Sequence, residues 1–232
     1  MSASIRHSAE NREFATPLWL VEKTRYVLGG IDLDPASSER VNQDVQASRI
    51  YTAETNGLLQ PRWDGKVFLN CPGGLIDRYG RVVIRKTKAH EGCDKTGACG
   101  LAPGHTHEGV TSSAVVWWRV LCKQWVLGNV TAGFFVGFSL ELLQSCQGGE
   151  NPGHHPLDFP SCIPSERIKF DVIGEDGVRR SGDQPTHSNV LVLLPPHGDT
   201  TSIFGPALQQ QALDRFTEAF TPVGYLHRGE GY

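Results

Sequence analysis

Apolar positions recur along this chain in segments whose period switches between the helical and the extended. The first regular segment begins at Thr16-Pro17, where Thr16 reads as a helix N-cap and Pro17 as the first helical position. Leu18, Trp19, Val21, Tyr26, Val27 and Leu28 give that helix an apolar face, and Gly29-Gly30 ends it. Ile31-Asp32-Leu33-Asp34 then alternates as a strand and stops at Pro35, before small residues and a polar helix over 38–48. Asn56-Gly57 marks a turn, Trp63 reads as a core anchor, and Val67 to Leu69 is a short apolar strand. An amphipathic helix is expected from Ser112 to Leu127, with Val116, Trp117, Val120, Leu121 and Trp125 on one side. A strand from Thr131 to Phe138 follows, then a short helix from Glu141. Arg167 to Val172 reads as a strand leading into a Gly/Asp-rich hairpin, Asn189 to Leu194 as a buried strand, and Leu208 to Phe220 as a final helix before a polar tail.

Helices alternating with apolar strands predict an α/β domain with a mostly parallel central sheet, helices on both faces and ligand loops at the carboxyl ends of the strands. At 232 residues and 39% apolar, the chain suits one such domain over 1–232, with an irregular insertion at about 78–109. A net charge of −3 and a pI near 6.3 give no global basic field, so any nucleic-acid contact must rest on a local patch. With no apolar run long enough to span a bilayer and no signal-peptide core, the chain reads as a soluble cytoplasmic protein with no membrane partner and no evident protein partner. Six cysteines at irregular spacing suggest reduced thiols or a metal site, not a disulfide framework.

The candidate chemistry centres on Asn70-Cys71-Pro72-Gly73-Gly74, where the strand over 67–69 breaks into an open loop. An Asn followed by a rigid Pro offers an amide oxygen and aimed carbonyls to an exocyclic amine, which needs acceptors and not a strong base. Asn, Pro and Gly are also the ordinary turn residues, so a plain strand stop has the same composition. The turn Asp34-Pro35-Ala36-Ser37, at the end of the preceding strand, is a place where a nucleoside-like ligand can lie close to backbone, or a simple capped junction.

After the loop, Arg78, Arg81, Arg85, Lys86 and Lys88 concentrate positive charge within eleven residues. Such a run is usually a solvated face, but its position beside the proposed loop makes it a candidate for phosphate contacts. Cys93, Cys99, His105 and His107 have the ligand types and count of a structural Zn2+ site, with His90 as a replacement ligand. Their spacing departs from the common zinc patterns, and ordinary reduced cysteines with polar loop histidines are the other reading.

In these residues the chain resembles the phage DNA N-6-adenine methyltransferase family, the Dam-type S-adenosylmethionine-dependent enzymes. The likeness rests on Thr16-Pro17, on Gly30 to Ser37, on Asn56-Gly57-Leu58 with Trp63 and Gly65, and on Asn70-x-Pro72. It continues through Arg167-Ile168-x-Phe170 and the strand over 189–194. It implies a Rossmann-like methyltransferase sheet and a host-cytoplasmic enzyme acting on DNA, if phage-encoded. Thr16, Pro17, Asp32, Asp34, Pro35, Ala36 and Ser37 would then line the S-adenosylmethionine pocket, and Asn70, Cys71, Pro72 and Gly73 would form the catalytic loop.

The family's loop is typically Asn-Pro-Pro-Tyr, so the aromatic that stacks on an extruded base is missing here. Tyr79, Trp117 and Phe138 are the replacements that the sequence offers. The expected activity is methyl transfer to an exocyclic amine of a DNA base, most simply adenine N6. The alternatives are a catalytically silent DNA- or partner-binding relative and an enzyme modifying another nucleobase. Cys71 is not expected to act as a nucleophile, because the cytosine-C5 enzymes that use a cysteine set it in a Pro-Cys dipeptide. If the Cys/His insertion holds zinc, the purified protein carries about one zinc per chain and Cys93→Ser releases it. Elemental analysis showing no zinc removes that expectation.

Overall fold

The computed structural model describes residues 13–77, 82–83, 110–146, 154–174, 178–182, 187–198 and 205–229. The chain enters through β1 (Glu13–Ala15) and passes Thr16-Pro17 into α1 (Leu18–Leu28). The expected Thr16 cap does not form. Pro17, extended at φ −56° and ψ 139°, occupies the cap position with no side-chain bond, and the Thr16 hydroxyl is engaged elsewhere. Gly29 closes the helix in the left-handed region at φ 68°, a conformation that costs glycine nothing.

Next come β2 (Leu33–Asp34) and α2 (Glu39–Val45), whose first turn is capped by Ser38 Oγ accepting from the Val41 amide at 3.1 Å. β3 (Arg49–Ile50), a single 3-10 turn at Gly57–Leu59 and β4 (Gly65–Leu69) follow. Three two-residue strands, β5 (Leu75–Ile76), β6 (Val82–Val83) and β7 (Thr111–Ser112), form a small antiparallel sheet after the β4 loop. The chain continues through α3 (Ser113–Val126), β8 (Val130–Phe138) and α4 (Ser139–Ser145). It then runs through β9 (Ser161–Pro164), β10 (Asp171–Ile173), β11 (Arg179–Ser181), β12 (Asn189–Leu194), α5 (Gly205–Phe220) and β13 (Gly224–His227).

The main sheet has the order β13-β9-β12-β8-β4-β2-β3. Parallel pairing is confined to β8-β4-β2-β3, while β12 runs antiparallel to β8 and to β9, and β9 antiparallel to β13. A second three-stranded sheet, β1-β10-β11, is antiparallel throughout, as is β6-β5-β7. The mostly parallel, Rossmann-like methyltransferase sheet expected from the sequence is therefore not what this chain forms. The physical reason lies in two strands that carry no apolar signature. β9 ends in proline, and β13 reads Gly-Tyr-Leu-His, the composition of an edge. β12 is fully buried along its length, which reports two covered faces and leaves its direction open.

Helices α1, α2 and α5 cover one face of the sheet around Leu20, Val27, Phe68, Phe134, Val136, Leu191 and Phe220. α3 covers the other around Trp63, Leu69, Trp118, Phe135 and Val192. Burying each such aliphatic or aromatic side chain contributes about 1.5–3 kcal/mol. Among the described residues, no helix is long and apolar enough to cross a membrane.

Trp63 is fully buried, stands 5.8 Å from Trp117 and donates its indole N–H to the Gly57 carbonyl at 2.9 Å. Gly57 in turn lies against Pro35, so close that an added Cβ would stand 2.1 Å from the Pro35 carbonyl oxygen. This contact pins the turn after β2. Gly57→Ala should therefore lower the unfolding free energy by about 3 kcal/mol, measured by chemical denaturation. A loss within experimental error of zero would show that the Pro35 turn is not held in this way.

Candidate functional site at one rim of the sheet

Leu33 pairs with Val67 and Leu69 with Phe135, so the parallel strands β2, β4 and β8 end at one rim. β12 begins there, with Asn189 opposite Phe138. The turns Asp34-Pro35 and Asn70-Cys71-Pro72 thus share an edge with the end of β8 and the start of β12. Side chains alternate along a strand, and Leu33, Leu69 and Val190 face the α3 side. Asp34, Asn70 and Asn189 consequently face the α1 side together.

Asn70 is the best-defined member of the rim. Its amide Nδ2 donates to Thr16 Oγ1 at 2.9 Å, across 54 positions of sequence. Thr16 is itself buried, between β1 and α1. Its main chain is braced by Arg179, whose guanidinium reaches the Thr16 carbonyl at 3.4 Å and ion-pairs with Asp44 at 2.7 Å and Asp171 at 3.1 Å. With its N–H held, the Asn70 Oδ1 is buried and has no partner among the described residues. A buried amide oxygen left without a donor costs about 1–3 kcal/mol.

Asp34 is 2% exposed, and burial pushes its carboxyl up to about 7. The Ala36 amide, which donates to Asp34 Oδ1 at 3.1 Å, and the neighbouring Ser37 hydroxyl pull the other way with less effect. The Ser37 hydroxyl makes no well-formed hydrogen bond and is also buried. The turn therefore presents a buried carboxyl that changes charge near neutrality, with the Ser37 hydroxyl beside it. Pro35 is buried under Gly57, while Ala36 is half-buried and packs toward the α3 side. Pro17, also buried, starts α1 immediately after Thr16.

Two of the sequence candidates have other employment. Asp32 stands at the opposite end of its segment, where its carboxylate accepts from the Lys66 amide at 2.8 Å; it serves the β2-β4 junction and not the rim. Cys71 is 2% exposed and faces the α3 side, and burial pushes its thiol up to about 12. At neutral pH it is a thiol with negligible thiolate. Pro72 and Gly73 are exposed on the loop. The proposed phosphate contacts Arg78, Arg81, Arg85, Lys86 and Lys88 lie outside the described residues. So do the proposed zinc ligands Cys93, Cys99, His105 and His107, the alternative ligand His90, and Tyr79. Among the described residues, no group of three or more His, Cys, Asp or Glu side chains is placed to hold a metal ion.

The rim also contains Asn189 and Phe170, which sequence reasoning did not select as site residues. Four buried side-chain oxygens among the described residues lack a partner, and three of them, on Ser37, Asn70 and Asn189, belong to this edge. Asn189 is 5% exposed and donates to the Gly137 carbonyl at 3.3 Å, leaving Oδ1 unpaired. Its signal in the sequence was an asparagine heading an otherwise all-apolar strand. Phe170 and Phe138, both half-buried, pack at 5.7 Å between ring centroids. Trp117, by contrast, is a core residue against Trp63. Comparison with protein-family models, curated proteins and solved structures finds no match to this chain.

The Asp34 carboxyl yields a pH prediction whose sign follows from linkage. Its folded pKa of about 7 lies above the ordinary 3.8, so the native state holds the extra proton across that interval. The stability this confers is complete below the unfolded value and is lost as pH rises to about 7. Asp34→Asn should accordingly gain on the wild type by up to about 4 kcal/mol between pH 4 and pH 8. Urea unfolding at both pH values measures this, and a difference that does not change with pH would contradict a buried, titrating Asp34.

Proposed function

We propose that the rim is the active site of an S-adenosylmethionine-dependent methyltransferase acting on an exocyclic amino group of a DNA base, with adenine N6 the simplest target. The observation that carries the reading is the Asn70 carboxamide. Its N–H is tied to Thr16, and its buried oxygen has no donor among the described residues. An aromatic amine has its lone pair delocalised into the ring and is a poor nucleophile. A hydrogen bond from that amine to a fixed acceptor turns the nitrogen toward tetrahedral geometry and aims its lone pair, without any covalent bond to the protein.

The turn Asp34 to Ser37, with Thr16 and Pro17, would hold the methyl donor. A carboxyl near neutrality with a hydroxyl beside it suits a ligand that is cationic and rich in hydroxyl groups. S-adenosylmethionine supplies a methyl group on a sulfonium centre, whose positive charge favours the ionised form of Asp34. The Cys71 thiol takes no part. The proton lost from the methylated amine passes to water, since the loop over Pro72 to Gly74 is exposed. The proposal rests on this local geometry and on the resemblance in the loop and turn residues, not on the order of strands in the sheet.

Asn70→Ala should cut transfer at least about a hundredfold, since an acceptor of this kind acts mainly in the transition state. Donor binding, followed by calorimetry with S-adenosylmethionine, should stay within a few fold of the wild type. Nucleoside mass spectrometry after incubation with DNA identifies the product. Retained turnover in Asn70→Ala, or no methylated nucleoside from any DNA with the wild type, would refute the assignment.

A further inference from the structure

If the rim accepts a nucleobase, it lacks the loop aromatic that would stack on it, and the position after Pro72 is Gly73. The structure places two other rings at the same edge. Ala15 pairs with Asp171 in the antiparallel β1-β10 ladder, and one further step of that register sets Phe170 opposite Thr16, the residue that holds Asn70. Phe170 packs on Phe138 at 5.7 Å, and Phe138 pairs across β8-β12 with Asn189. Thr16, Phe170, Phe138 and Asn189 therefore follow one another around the rim from Asn70.

This arc is bounded by two unpartnered carboxamide oxygens, on Asn70 and Asn189. Asn70, just past the end of β4, is level with Val136 of β8, and Asn189 of β12 pairs with Phe138 two residues further on, so they are two strand spacings and two residues apart, about 12 Å. At the same edge stand two rings that are only half-buried, Phe170 packed against the α1-side core and Phe138 against the α3-side core, whereas the other aromatics of β8, Phe134 and Phe135, are completely buried. Exposed Arg167 and Lys169 lie within three residues of Phe170 in the chain. Half-exposed aromatics at an edge that carries orphaned acceptors, with basic residues nearby in the chain, are the elements of a site for a planar, amine-bearing base on a polyanionic strand.

We propose that the Phe138–Phe170 pair is the stacking wall for the acceptor base, replacing the aromatic absent from the loop after Asn70. The inference deepens the methyltransferase reading by naming the element that receives the base and the ligand class, a single-stranded or extruded nucleobase in DNA. Trp117, the other described candidate for this task, is committed to the core.

The test is binding without a methyl donor. Fluorescence anisotropy compares a labelled oligodeoxyadenylate with an oligonucleotide of equal length made wholly of abasic sites. The wild type should prefer the strand with bases. Phe138→Leu and Phe170→Leu should each reduce that preference roughly tenfold, as expected for loss of one base–aromatic contact. Affinity for the abasic strand, which reports only backbone contacts, should stay the same, and Phe138→Trp should keep the preference.

A merely structural role for the pair would lower binding to both strands equally, and that result overturns the wall. So does a wild type that does not distinguish the two strands, or leucine variants that discriminate as well as the wild type. The outcome is separable from the fate of the enzymatic reading. A chain that never transfers methyl groups can still show the base preference, and methylation of DNA with unaltered discrimination in both leucine variants removes the wall alone.

Discussion

One hydrogen bond, from the Asn70 amide to the Thr16 hydroxyl, joins the parts of the molecule on which any chemistry here depends. It ties the end of β4 to the junction of β1 and α1, and through Arg179 to α2 and to the small β1-β10-β11 sheet. A carboxamide has two ends, and fixing the donor end decides where the acceptor end points. The arrangement accepts the cost of a buried oxygen with no partner among the described residues. That cost is a reason to look for a ligand, because native structures seldom leave such a group unexplained.

The same rim concentrates other expensive features. A carboxyl held near neutrality by burial, an unpaired Ser37 hydroxyl and an unpaired Asn189 oxygen all stand within the ends of four adjacent strands. The rest of the sheet is conventional, with apolar side chains on both faces beneath helices. Stability comes from those two cores, and the rim draws on it. The mixed direction of the strands does not disturb this logic. β12 reverses against β8, but a reversed strand brings its amino end to the edge where its neighbours have their carboxyl ends, so Asn189 joins the site because β12 is antiparallel.

Much of the secondary structure was legible from the sequence. The helices from Leu18, Ser113 and Gly205 and the strands over 65–69, 130–138 and 189–194 follow apolar periodicity and glycine or proline stops. β9 and β13 were not, because Ser-Cys-Ile-Pro and Gly-Tyr-Leu-His lack the alternation that marks a strand, and their pairing comes from β12 and from each other. Thr16 was read as a cap because Thr before Pro is a common helix opening; a long-range partner took the hydroxyl instead. Asp32 and Asp34 share a parity and looked equivalent, yet one is exposed and bonds the Lys66 amide while the other is buried.

By itself, the sequence determined the residue types and the local breaks: an asparagine at a strand end, a proline-glycine loop, an acidic turn and two covered faces. These are short-range properties, set by propensity and hydropathy within a few residues. Only the tertiary structure decided which of them meet. Strand direction, the partner of Thr16, the burial that shifts Asp34 and the approach of Phe170 to Phe138 depend on contacts between distant segments. A local pattern carries no information about the distance between such segments in space.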